Sequence, residues 1–205
     1  MKKLIATATL IVTVLTFASP SVFAATSSSG PYTVSASVDG TLSMSVVVRK
    51  NSSVGAIITA VDFGKLVDIG ANTLRSAATS TTGTRNATAM ITANSHGLPY
   101  TITQTGTTLS NGTTTLPSGA CTVVPVYATQ DNGGLAKPAG AVVGTAGSWV
   151  GTRTLYTSET GIAAMRTIQA VYSITDDPIA GATSAVPLNQ AGGNYSGTVT
   201  ITVTA

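Results

Sequence analysis

From Tyr32 to Val48 the chain reads YTVSASVDGTLSMSVVV, and its apolar side chains favour even positions. Tyr32, Val34, Ala36 and Val38 share one parity, and after Asp39-Gly40 the residues Leu42, Met44, Val46 and Val48 keep it. Successive side chains of an extended chain point to opposite faces. The pattern therefore predicts two half-buried strands joined by a turn or flexible joint at Asp39-Gly40. The first of them can complete the chain's own sheet or be inserted into the sheet of another copy.

The same period recurs downstream. Ala87, Ala89, Ile91 and Ala93 alternate with Thr88, Met90 and Thr92; after a turn over residues 94–97, Leu98, Tyr100 and Ile102 resume it. Apolar runs over 56–63, 121–127 and 148–156 predict further strands. Residues 107–116 carry Asn111-Gly112, a strong hairpin signal. Ile168, Ala170, Tyr172 and Ile174 define one face of a strand that ends before Asp176-Asp177-Pro178. The closing strand sets Tyr195, Val199, Ile201 and Val203 against Thr198, Thr200, Thr202 and Thr204. Residues 130–147, rich in Gly, Ala and Pro, predict a long loop, and 158–165 a single helical turn. Many short strands with turn signals and almost no helix make an all-β sandwich.

The start of the chain has a different character. Met1-Lys2-Lys3 leads an apolar run to Ala18, and Val22-Phe23-Ala24 places small residues where a signal peptidase cuts. The run is short for a spanning helix of ~20 residues and is broken by Pro20. A signal peptide over 1–24 is expected, and with it secretion. The remaining 181 residues suffice for one domain with a real core.

Charge is scarce. Asp, Glu, Lys and Arg make up 8% of the chain, against ~25% in ordinary globular proteins, so the exterior is built largely of Thr, Ser, Ala and Gly. Without its leader the chain carries eight Lys and Arg against seven Asp and Glu, singly spread, which argues against nucleic acid as a partner. Candidate chemistry is equally sparse. His96 is the only histidine and lies in a turn sequence; Cys121 is the only cysteine and sits in an apolar run, as a buried hydrophobe does. One His and one Cys do not assemble the usual nitrogen and sulfur metal site, and no nucleophile elbow or phosphate-binding loop is present. No catalytic residue, cofactor or metal site is expected, and the chain does not read as an enzyme. Trp149 is expected in the core.

Three segments together resemble a known family. The leader followed by Tyr32-Thr-Val-Ser-Ala-Ser-Val-Asp39 is similar to the opening of colonisation-factor-type fimbrial subunits. Val61-Asp-Phe-Gly64 and the closing Gly193-Asn-Tyr-Ser-Gly-Thr-Val-Thr-Ile-Thr-Val203 resemble the spore-coat-U-like subunits of archaic chaperone–usher pili. The middle of the chain, about residues 105–190, carries no such match.

The resemblance implies an immunoglobulin-like β-sandwich lacking one strand, completed by a donor strand from another subunit. It implies a division into a signal peptide (1–24), an N-terminal donor-strand extension (25–38) and a pilin domain (39–205). Tyr32, Val34, Ala36 and Val38 would be the inserted residues. The implied function is a structural subunit of a surface fimbrium that polymerises by donor-strand exchange and serves adhesion. Its implied partners are further copies of itself, a periplasmic chaperone, an outer-membrane usher and a host or surface receptor. The alternative is a secreted, monomeric β-sandwich that acts as an adhesin or carbohydrate-binding module.

Overall fold

The computed structural model describes residues 37–38, 42–68, 73–76, 86–161, 163–174 and 183–205. Within them the chain forms β1 (Ser37–Val38), β2 (Leu42–Lys50), β3 (Leu66–Asp68), β4 (Thr73–Ser76), β5 (Asn86–Asn94) and β6 (Thr101–Gly106). There follow β7 (Cys121–Val126), β8 (Val142–Val143), β9 (Gly147–Ser148), β10 (Gly151–Thr157), β11 (Arg166–Ile174), β12 (Val186–Pro187) and β13 (Val199–Thr204). The only helical pieces described are two short 3₁₀ turns, Ser118–Ala120 and Thr129–Asn132. No helix among the described residues is long and apolar enough to cross a membrane.

Two antiparallel sheets carry the core. One has the order β1-β2-β5-β11-β7-β9 and the other β13-β6-β10-β8; a small third sheet, β12-β4-β3, shares no ladder with them but packs Val186, Leu66 and Leu74 onto the same core. From β5 to β11 the chain crosses between the two large sheets at every step, and it then passes through β12 of the small sheet to reach β13. Alternating inward residues of both large sheets meet in one cluster, the arrangement of a β-sandwich. Size is matched across the strands. Small Ala87 and Ala89 on β5 face Tyr172 and Ala170 on β11, so the large phenol ring is accommodated without spreading the ladder. All four residues are fully buried.

The parity of residues 42–48 is realised: Leu42, Met44 and Val48 are buried and Val46 is partly so. Val38 pairs opposite Leu42 and Ser37 opposite Ser43, while Asp39-Gly40 lies outside the described residues. The face read on β11 is buried at Ile168, Ala170, Tyr172 and Ile174, and Val199, Ile201 and Val203 of β13 point inward.

Three expected elements differ. Residues 56–63 form no strand; only Ile57 bridges back to Arg49. Asn51 takes a left-handed conformation with φ 64°, and the chain turns back on itself through Gly55 N–H to Ser52 O (3.1 Å) and Lys50 N–H to Ala56 O (2.9 Å). The helical turn over 158–165 is absent from its described residues. Ser158 N–H instead bonds Tyr100 O at 2.8 Å and Ala163 pairs with Gly97, so backbone partners on a neighbouring segment replace helical ones. The strand over 148–156 is split at Trp149-Val150, where the chain leaves β9 for the other sheet. Asp176-Asp177-Pro178 lies outside the described residues.

The strand registers define two poles. Leu42, Asn94, Arg166, Thr101 and Thr204 lie at one end of the sheets; Lys50, Asn86, Ile174, Gly106 and Val199 lie at the other.

Candidate functional site: a groove beside the last strand

Strand β13 is an edge. Among the described residues it pairs with β6 alone, through six registered positions from Val199 opposite Gly106 to Thr204 opposite Thr101. Beside its Val199 end lies a cavity of about 940 Å³. The apolar lining comes from Phe63, Leu66, Leu74, Leu109, Leu116, Trp149, Ile174 and Val199. The cavity thus gathers side chains from β3, β4, β11, the start of β13 and the segments between strands around residues 109–116, 149 and 190–198.

Local chemistry builds each wall. In Val61-Asp62-Phe63-Gly64 the Asp62 carboxylate accepts the Gly64 N–H at 2.7 Å, and Gly64 adopts φ 69°, which a residue without Cβ reaches at little cost. This turn sends Phe63 inward, where its ring stacks on Trp149 with centroids 5.7 Å apart and planes 18° from parallel. Trp149 is itself held from both sides. Its N–H donates to Cys121 O at 2.9 Å, and its carbonyl accepts from Gln104 Nε2 at 2.7 Å. The indole also lies edge-on to Tyr172, at 5.9 Å and 59°. Gly106 makes the crossing possible, because a Cβ there would stand 2.4 Å from Trp149 O.

The far wall is the glycine-rich segment 190–197. Paired bonds between Ser110 and Ser196, both 2.9 Å, attach it to the hairpin-like turn around Asn111-Gly112. Tyr195 acts as a latch. Its hydroxyl shares a hydrogen bond with Thr114 Oγ1 (2.8 Å), accepts from Gln190 Nε2 (2.7 Å) and lies 2.6 Å from Ala191 O, its acceptor. Asn111 Nδ2 adds a bond to Gly192 O at 3.3 Å.

The groove therefore offers an apolar floor beside a strand edge, with the charged groups Asp62 and Lys65 exposed on its rim. Lys65, Tyr195, Ser196 and Thr198 supply polar groups along the same cavity. Cys121 lies behind the floor, fully buried, and burial pushes its thiol up to about 12. His96 is exposed in its turn with φ 51°. No group of three or more His, Cys, Asp or Glu side chains suited to a metal ion occurs among the described residues.

Of the residues expected to insert into another copy, Tyr32, Val34 and Ala36 lie outside the described residues. Val38 is described in its backbone only, and there it pairs with Leu42 of its own chain. The groove residues Phe63, Leu109, Leu116, Ile174 and Tyr195 were not singled out as a site by sequence reasoning. The available signal was the pair of segments 61–64 and 193–203, which the fold brings to the same cavity. No family model matches the chain, and neither does any curated protein or solved structure.

Proposed function

We propose that this chain is a structural subunit of a surface pilus, an incomplete immunoglobulin-like domain whose groove beside β13 accepts the N-terminal segment of another copy. The observation that carries the reading is the conjunction of a strand paired on one side only, among the described residues, with a cavity of about 940 Å³ at its Val199 end. Among the described residues the outer side of β13 in sheet β13-β6-β10-β8 has no ladder partner, and a strand added there would take the place of the last strand of an immunoglobulin-like sandwich. Filling it pairs backbone groups along the edge and covers apolar floor, the physics of β-augmentation. The donor would be residues 25–38, with Tyr32, Val34, Ala36 and Val38 inward. Val38 leaves its pairing with Leu42 at a cost of about 0.5–1.5 kcal/mol per hydrogen bond. Four inserted side chains contribute about 6–12 kcal/mol before ordering costs.

In this reading the leader 1–24 directs export, a periplasmic chaperone covers the groove first, an outer-membrane usher directs assembly, and the polymer serves adhesion. The monomeric carbohydrate-binding alternative has less support. Trp149, the chain's one tryptophan, is 3% exposed and stacked on Phe63, so its ring is not displayed for a sugar.

The test pairs two substitutions in the donor segment. Val34→Asp places an unpaired carboxylate in the groove and should cost several kcal/mol per junction, roughly the penalty of an uncompensated buried polar group. It should abolish the ladder of multimers that survives mild denaturant and collapses on boiling. Ser35→Asp points to the other face and should leave the ladder intact. Normal polymerisation of Val34→Asp would sink the proposal.

A further inference from the structure

The two poles of the domain each display uncharged, apolar side chains on braced backbone. At the Val199 end the turn 51–58 exposes Val54 (89%) and Ile57 (64%), and residues 51–61 contain no charged side chain. This turn is preorganised. Arg49 Nη1 donates to Gly55 O at 2.9 Å, Ile58 N–H to Val48 O at 2.9 Å, and Asn51 N–H to Asn86 O at 2.7 Å. At the Leu42 end, Leu98 (49%) and Met165 (58%) are exposed on segments joined by the Gly97–Ala163 bridge. Leu98 N–H is turned back to Ser95 O at 3.3 Å. Residues 95–100 carry no charge other than the His96 imidazole when protonated.

Scattered exposed hydrophobes need no explanation, but their placement along the chain's route does more. Every pair of described strands is antiparallel, and antiparallel ladders are the slightly more stable kind. β13 runs from the Val199 pole to the Thr204 pole. A donor segment pairing antiparallel to it therefore ends at the Val199 pole, beside Val54 and Ile57. Residues 38 to 42 connect that segment to its own domain and span at most about 14 Å when extended. The donor's Leu42 pole, with Leu98 and Met165, is thus held close to the acceptor's Val199 pole.

We propose that the Val54–Ile57 tip of one copy packs against the Leu98–Met165 patch of the copy whose donor segment it holds, a second, non-strand contact that sets the angle between successive subunits. The proposal rests on the strand-exchange reading. The contact is head-to-tail, joining different patches of identical chains, so it repeats along an open filament and does not close a dimer.

The experiment uses assembled filaments from cells carrying two exposed cysteines, Val54→Cys with Met165→Cys, or Ile57→Cys with Leu98→Cys, beside single-cysteine controls. After mild oxidation the double variants should convert the heat-labile ladder into one that survives boiling and is lost on reduction, while the single variants should not. In parallel, Val54→Ser with Ile57→Ser should keep the heat-labile ladder and broaden the distribution of subunit-to-subunit angles seen by electron microscopy. A normal ladder without crosslinks in either double variant, and with unchanged angles in the serine variant, overturns the pole contact and leaves strand exchange standing. Crosslinking by the Val54→Cys single variant overturns its head-to-tail form. Failure of the unmodified chain to form any ladder removes both readings. Filaments of unchanged angle that lose only their binding to polystyrene beads in the serine variant would show the tip facing outward, against the proposal.

Discussion

At the residue scale, burial decides what the few reactive groups can do. Cys121 has no exposed surface, and Tyr156, also fully buried, stands close to Tyr100 with ring centroids 5.9 Å apart. Burial pushes the Cys121 thiol and the Tyr156 phenol each up to about 12, with Glu159 adding to the effect at Tyr156; burial raises Tyr100 further still. A group whose folded pKa exceeds its unfolded value holds its proton more tightly in the fold, so its contribution is complete below the unfolded pKa and lost as pH rises. Stability should therefore be flat through neutral pH and fall from about pH 9 to 12, where the unfolded thiol and phenols already ionise. Denaturant midpoints measured across that range test this, and a midpoint that rises with pH would contradict it. The same burial makes the thiolate inaccessible. At pH 8 the native protein should react with an aromatic disulfide reagent only as fast as it opens, and Cys121→Ala should cost about 1 kcal/mol and leave multimers intact.

At the scale of elements, the close passage of Trp149 over β6 is the most demanding packing in the groove. Gly106→Ala would put a methyl group 2.4 Å from the Trp149 carbonyl, which accepts from Gln104, while the Trp149 backbone N–H is held by Cys121 O. Such overpacking should cost about 1–3 kcal/mol, and in a domain of this size each kcal/mol lowers Tm by about 2–4 °C. Thermal melts of Gly106→Ala should show that loss; a Tm within a degree of the parent would mean the wall moves freely. Strand faces of this kind were legible in the sequence because period-two alternation survives wherever one face meets the core, as in β2, β11 and β13. The segment 56–63 misled because it is apolar without alternating, and the conformation at Asn51 that turns it back leaves no hydrophobic signature. The groove was half legible. Phe63-Gly64 and the ending 193–203 stood out as motifs, although Tyr195, expected within the closing strand, lies ahead of β13; their meeting depends on Trp149, which binds β9 to β10 at a change of sheet that no local pattern announces.

At the scale of the whole molecule, the C-terminus and the proposed donor segment share a pole. β13 ends at Thr204, next to Thr101, and Ser37 begins the described fold beside Ser43, both at the Leu42 end. A segment attached after Ala205 through a short linker can therefore double back and run antiparallel to β13 as an ordinary hairpin, toward the Val199 pole and across the cavity. This geometry allows one rearranged chain to separate a subunit that needs a neighbour's strand from a domain that is complete by itself. Deleting residues 25–38 should leave the groove open and the chain poorly stable, with edge groups and apolar floor exposed to water. Fusing those residues through a Gly/Ser linker after Ala205 should restore stability by several kcal/mol, since intramolecular filling contributes the same burial at about 6–12 kcal/mol gross, less ordering costs. The fused protein should sediment as a monomer at all concentrations, because its donor is consumed in its own groove. Carrying Val34→Asp into the fused copy should cancel the gain, and Ser35→Asp should not. If the fusion melts no higher than the plain deletion, the segment has no affinity for the edge of β13, and the domain is a solitary sandwich.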